Sequence, residues 1–201
     1  LARDLGALMA GCGLPWVGPA EAFPASDRLV QHRVDPDPAL QEALDAAVRA
    51  GRTKVKYLDD ATLANLGAVL REFKPHILHY TGHGAYDPKN KRSFLALEDD
   101  DGKTVRAGID ELRPHLHDAP DLRLVLLSGC QTARTSEQDA FRGVATGLLE
   151  RDIPAVLAMQ FSILDQSGIE LARAFYGSLV AGESPEQSLQ RTRLALWQFN
   201  E

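Results

Sequence analysis

From residue 39 onward the apolar positions alternate between a helical rhythm and short continuous runs. Ala39–Ala50 puts Leu40, Ala43, Leu44, Ala47 and Val48 on one helical face, and Gly51 ends the helix. Lys54–Leu58 reads as a short strand. Asp59 or Asp60 can cap a helix reaching about Phe73, with Leu63, Leu66, Val69 and Leu70 inward, and Pro75 forbids its continuation. His76–Tyr80 is an apolar strand closed by Thr81-Gly82-His83-Gly84. Ser93–Leu97 and Lys103–Val105 flank Asp100-Asp101-Gly102, a sequence suited to a hairpin turn. Ile109–His117 predicts a short helix, and Leu122–Leu127 a second apolar strand closed by Ser128-Gly129-Cys130. A helix over about 139–151, a strand at Ala155–Met159 and helices over about 166–181 and 185–199 complete the pattern.

Strands alternating with helices predict an α/β fold with a mostly parallel sheet. Strands that are apolar without alternation are covered on both faces, so helices are expected on each side. Residues 1–38 differ from the rest. Pro15, Pro19, Pro24, Pro36 and Pro38 exclude long helices and central strands, leaving room for one short strand near Arg28–Val34. The expected organisation is therefore a poorly defined segment over 1–38 and one α/β domain over 39–201. The chain opens on Leu1 and is read as part of a longer protein.

Composition narrows the function classes. At 201 residues, 44% hydrophobic and 25% charged, the chain can bury a core without disulfides. Its net charge of −6 disfavours nucleic-acid backbones and anionic membrane surfaces. No run of about 18 apolar residues is present to span a bilayer. Two cysteines, Cys12 and Cys130, are too few for a disulfide framework or a thiolate zinc site, and a reducing cytoplasm is the simplest compartment.

In parallel sheets, sites form beyond the carboxyl ends of strands. Two buried strands lead there to residues with chemistry. A free cysteine is ordinarily a small buried hydrophobe. Cys130, however, lies past a strand end and behind Gly129, which allows a tight backbone approach. His83 sits between two glycines after the other strand. If the two strands are neighbours, about 4.8 Å apart, both side chains project over one edge. The imidazole could then lower the thiol pKa and return a proton to a leaving amine. An acyl-transfer site also needs oxyanion donors, for which the amides of Gly84 and Cys130 are candidates.

HILHYTGHG, LRLVLLSGCQTA and the closing IPAVLAMQFSILDQSGIELARAFYGSLVAGESPEQSLQRTRLAL resemble the CHAT domain in order and spacing. This is a caspase-like peptidase module related to separase and often fused to TPR repeats in bacteria. The resemblance covers about residues 40–201. It implies a caspase–hemoglobinase-like fold with a β-hairpin after the catalytic His, a Cys–His dyad of Cys130 and His83, and no cofactor. His83 in GHG and Cys130 in SGCQTA match the dyad, and Gly84 and Cys130 match the oxyanion donors. Caspases likewise place the His about 50 residues before the Cys. Where many members read SLW, this chain reads Ala158-Met159-Gln160, so specificity does not transfer.

Other residues compete less well. His76 and His79 are an odd number apart in a strand and point to opposite faces, against a metal site with His83, so no metal is expected. His79 reads as a core or supporting histidine, and His115 and His117 suit a helix C-terminus. No GxGxxG, P-loop or Gly-x-Ser-x-Gly elbow occurs. Asp165, Asp139 and Gln160 are candidates for the substrate groove, where a carboxylate could pair with a basic P1 side chain. The more ordinary reading of Asp165 is a cap for the helix that follows it.

The leading expectation is a cysteine endopeptidase acting on a protein or peptide, in a regulated bacterial signalling, death or defence role, gated by upstream regulatory or TPR-type domains. The alternatives are a non-catalytic caspase-like scaffold and a small-molecule hydrolase using the same thiol.

Overall fold

The computed structural model describes residues 28–32, 45, 48–49, 51, 53–58, 60–128, 138–150, 153–158 and 165–199. Of the helix expected over 39–50, residues 45, 48 and 49 are described and are helical.

Five strands form a wholly parallel sheet: β1 (Arg28–His32), β2 (Lys54–Leu58), β3 (Ile77–Thr81), β7 (Leu124–Ser128) and β8 (Ala155–Ala158). Their spatial order is β2-β1-β3-β7-β8. The order reverses between β1 and β3, so β3 borders both the topological switch and β7. β3 and β7 pair in register from Ile77 opposite Leu124 to Thr81 opposite Ser128.

The continuous apolar runs have the cause the sequence suggests: both faces of this sheet are covered. Leu78, Tyr80, Val125, Leu127 and Val156 share one core with three helices, α1 (Leu63–Phe73), α2 (Ile109–His117) and α3 (Gln138–Leu149). Ile77, Leu124, Leu126 and Leu157 share a second core with α4 (Asp165–Val180), which supplies Phe175, Tyr176 and Leu179. α5 (Pro185–Phe199) adds Leu189 to the second core. Period 2 on the strands thus assigns every second residue to one core or the other.

Three expectations are corrected. The short strand expected near Arg28–Val34 is β1, and it is an interior strand paired with both β2 and β3, because no proline falls within Arg28–His32. The cap of α1 is Thr62, whose hydroxyl accepts the Asn65 amide at 3.1 Å, and not Asp59 or Asp60. Asp60 contributes its carbonyl instead, accepting the Thr62 amide at 2.9 Å. The expected hairpin is a three-stranded antiparallel sheet, β4 (Gly84–Asp87), β5 (Arg92–Glu98) and β6 (Thr104–Ala107). The missed strand, β4, is four residues long and opens on glycine, so it has no room for a pattern. The β5–β6 turn is as expected, with Gly102 at φ +74° and the Asp99 carboxylate accepting the amides of Asp101 and Lys103. The three-stranded sheet closes the first core with Leu95 and Leu97.

Among the described residues no helix is long and apolar enough to cross a membrane.

Candidate active site

The two buried strands expected to carry the chemistry are neighbours. Thr81, two residues before His83, lies opposite Ser128, two residues before Cys130. Beyond the last pair the Gly82 amide donates to the Ser128 carbonyl at 3.0 Å, tying the start of the His83 loop to the end of β7. Cys130 itself lies outside the described residues, as does Gln160. Asp139 is the second residue of α3 and Asp165 the first of α4, and their side chains lie outside the described ones.

His83 has an exposed side chain on a fixed backbone. Its carbonyl accepts the Ala96 amide at 2.8 Å and the Tyr80 hydroxyl at 2.8 Å, the latter shared with the Ala96 carbonyl at 2.8 Å. The Tyr80 ring is buried beside Phe141, with centroids 6.4 Å apart. A residue in a loop is thereby held from the core, while its imidazole stays free to meet solvent or substrate.

The glycines on either side of His83 do different work. A Cβ on Gly82 would stand 2.6 Å from Tyr80 Oη and 2.8 Å from its Cζ, so the ring itself demands glycine there. Gly84 lies opposite Leu95 in the β4–β5 ladder. Because the Ala96 amide bonds to the His83 carbonyl, Gly84 and Leu95 are a non-hydrogen-bonded pair. The Gly84 amide therefore points away from β5, off the outer edge of the three-stranded sheet. It is a buried donor that this ladder does not use.

Gly82→Ala is expected to force the Tyr80 hydroxyl off the His83 carbonyl. The cost should be about 1–3 kcal/mol of stability, as for other overpacked sites. Thermal melts and the NMR shift of the His83 ring check this. An unmoved His83 resonance would show that Tyr80 does not hold the loop.

Beneath the strand ends lies a polar cluster that the sequence reading did not assemble. His79 Nε2 lies 3.0 Å from Ser128 Oγ and 3.1 Å from Thr81 Oγ1, and the two hydroxyls are 2.9 Å apart. The Ser128 hydroxyl also reaches the Tyr80 carbonyl at 3.3 Å. Burial pushes the His79 imidazole down to about pKa 3, so it is neutral at physiological pH. The signal was present in the sequence: Thr81 and Ser128 each end an apolar run with a hydroxyl just before a glycine. The expectation that His79 is a core or supporting residue agrees with its burial. His115 sits near the end of α2 with its ring against Gly67 of α1.

A parallel α/β sheet with a histidine and a cysteine following two adjacent central strands defines a protein whose candidate chemistry is that of a thiol and an imidazole. The CHAT domain family profile matches residues 23–201, and the chain belongs to this caspase-like family. No curated protein matches the sequence. Among solved structures, the chain is similar to the A domain of carboxylic acid reductase from Segniliparus rugosus, in complex with AMP and a co-purified carboxylic acid. The identity is 12% and the TM-score 0.40, over 96% of this chain and 30% of that one, a likeness that carries no functional argument.

Proposed function

We propose that the protein is a cysteine endopeptidase with a caspase–hemoglobinase-like fold, in which His83 and Cys130 form the dyad. The observation that supports this reading is the β3–β7 register, with Thr81 opposite Ser128. Equal two-residue steps from that pair lead to the imidazole and the thiol. His83 takes the thiol proton, and the Cys130 thiolate adds to the peptide carbonyl carbon, forming a C–S bond. The oxyanion is held by the Gly84 amide, which the β-ladder leaves unused, and by the Cys130 amide. Collapse breaks the C–N bond, and the amine leaves with the proton from His83. Water, deprotonated by His83, then hydrolyses the thioester and restores the thiol. No cofactor is required. Asp165, Asp139 or Gln160 selects the substrate side chain, with the two carboxylates suited to Arg or Lys at P1; a peptide library tests this. The substrate is a protein or peptide, in the cytoplasm of a bacterium, with upstream regulatory or TPR-type domains controlling access.

The test is alkylation of Cys130 by iodoacetamide from pH 5 to 9, read by mass spectrometry with Cys12 as internal reference. An activated thiol reacts well below pH 8.5, the ordinary thiol value of about that size. Reaction of Cys130 is expected to be fast at pH 6 and to slow in His83→Ala. A rate indistinguishable from that of Cys12, unchanged by His83→Ala, would instead favour a non-catalytic scaffold.

A further inference from the structure

We infer that His79, together with Thr81 and Ser128, is a cross-strand clamp that fixes the spacing of the strand ends leading to His83 and Cys130, which makes His79 a positioning residue of the active site. The inference rests on the peptidase reading and names a group that supports its dyad.

Three observations carry it. The first is location. The hydroxyls of Thr81 and Ser128 belong to the last register pair of β3 and β7, and His79 Nε2 touches both. In sequence, His83 follows Thr81 and Cys130 follows Ser128 by two positions each. The second is chemistry out of keeping with its surroundings. The same face of the sheet carries Ile77, Leu124, Leu126 and Leu157 against Phe175 and Leu179. A leucine at 79 would continue that core, whereas an imidazole must be desolvated and bonded to be tolerated. The third is proton accounting. The Ser128 hydroxyl donates to the Tyr80 carbonyl, and the other three contacts are all satisfied at once if the Thr81 hydroxyl donates to Ser128 Oγ and an Nε2–H donates to the two hydroxyl oxygens. This tautomer uses every proton and leaves only an acceptor, Nδ1, without a bond among the described residues. The opposite tautomer would orphan a buried N–H, the costlier defect. The Tyr176 ring backs the imidazole, with centroids 5.7 Å apart, and fixes its plane from the α4 side.

A clamp of this kind acts on geometry and not on substrate affinity. Misplacing a reacting group by about 1 Å can cost on the order of 100-fold in rate. In His79→Leu, Cys130 alkylation at pH 6 and kcat are each expected to fall by about 10- to 100-fold, with KM within about twofold of wild type. His79→Gln, whose amide N–H can occupy the Nε2 position, should recover most of the loss. Thr81→Val and Ser128→Ala each break one side of the clamp without removing the ring, and stand in if His79→Leu does not fold. They are expected to slow alkylation in the same direction. Loss of thermal stability with alkylation and kcat unchanged in the folded variants would reduce the cluster to a structural feature and overturn the inference alone. A wild-type thiol that is not activated and does not respond to His83→Ala would overturn the peptidase reading, and this inference with it.

Discussion

Replacing His83 with alanine is expected to abolish most peptidase turnover and to leave the fold untouched. General-base and general-acid assistance is worth about 10²–10⁴ in rate. In a thiol enzyme the same residue also sets the thiolate fraction at neutral pH, so a loss of kcat/KM toward the upper end is expected. The stability side follows from how the residue is held. Its imidazole is exposed, while its carbonyl is bonded to the Ala96 amide and the Tyr80 hydroxyl. Alanine keeps both bonds, so the change in unfolding free energy should stay within about 0.5 kcal/mol. Kinetics on a cleaved peptide and urea unfolding of the same preparations check the two halves. Undiminished turnover would remove His83 from the mechanism. A large loss of stability would mean that the side chain has a packing role its exposure does not suggest.

The contrast between His83 and His79 shows what the sequence made legible. Both are histidines at the end of one apolar run, four residues apart. His83 stood out because it follows the strand and is framed by glycines. His79 looked like core, and it is core; its bonds were not readable because they need the register of β3 on β7, which no local pattern encodes. The sheet itself was readable, since LRLVLLS and HILHYT have the composition of strands covered on both faces. The roles of the two glycines were readable only in part. Their presence suggested a close approach, but the approaching group at Gly82 is Tyr80, two residues upstream, and the feature of interest at Gly84 is an amide direction set by the Ala96 bond. β4 escaped because four residues beginning with glycine carry too little periodicity to read. Thr62 displaced the acids as the cap of α1 because the helix starts two or three residues later than the charge pattern suggested.

Acid is expected to destabilise this domain through His79, over a window that begins near neutrality. In the unfolded chain the imidazole titrates near pH 6.5, while in the fold burial lowers it to about 3. Between those values the unfolded state binds one proton more than the folded state, so stability rises with pH across the window and falls as pH is lowered from about 6.5. The full contribution is present above pH 6.5 and is lost progressively toward pH 3. The slope of one proton is about 1.4 kcal/mol per pH unit, which amounts to about 3 kcal/mol by pH 4.5. Carboxylates add their own acid dependence, but His79→Gln shares them and lacks the imidazole. Urea unfolding of both proteins from pH 4 to 7.5 should therefore give a difference curve that is flat above pH 6.5 and slopes by one proton below it, with the variant losing less stability in acid. Parallel curves would mean that His79 takes up its proton in the folded state, and the neutral Nε2–H arrangement at the ends of β3 and β7 would have to be abandoned.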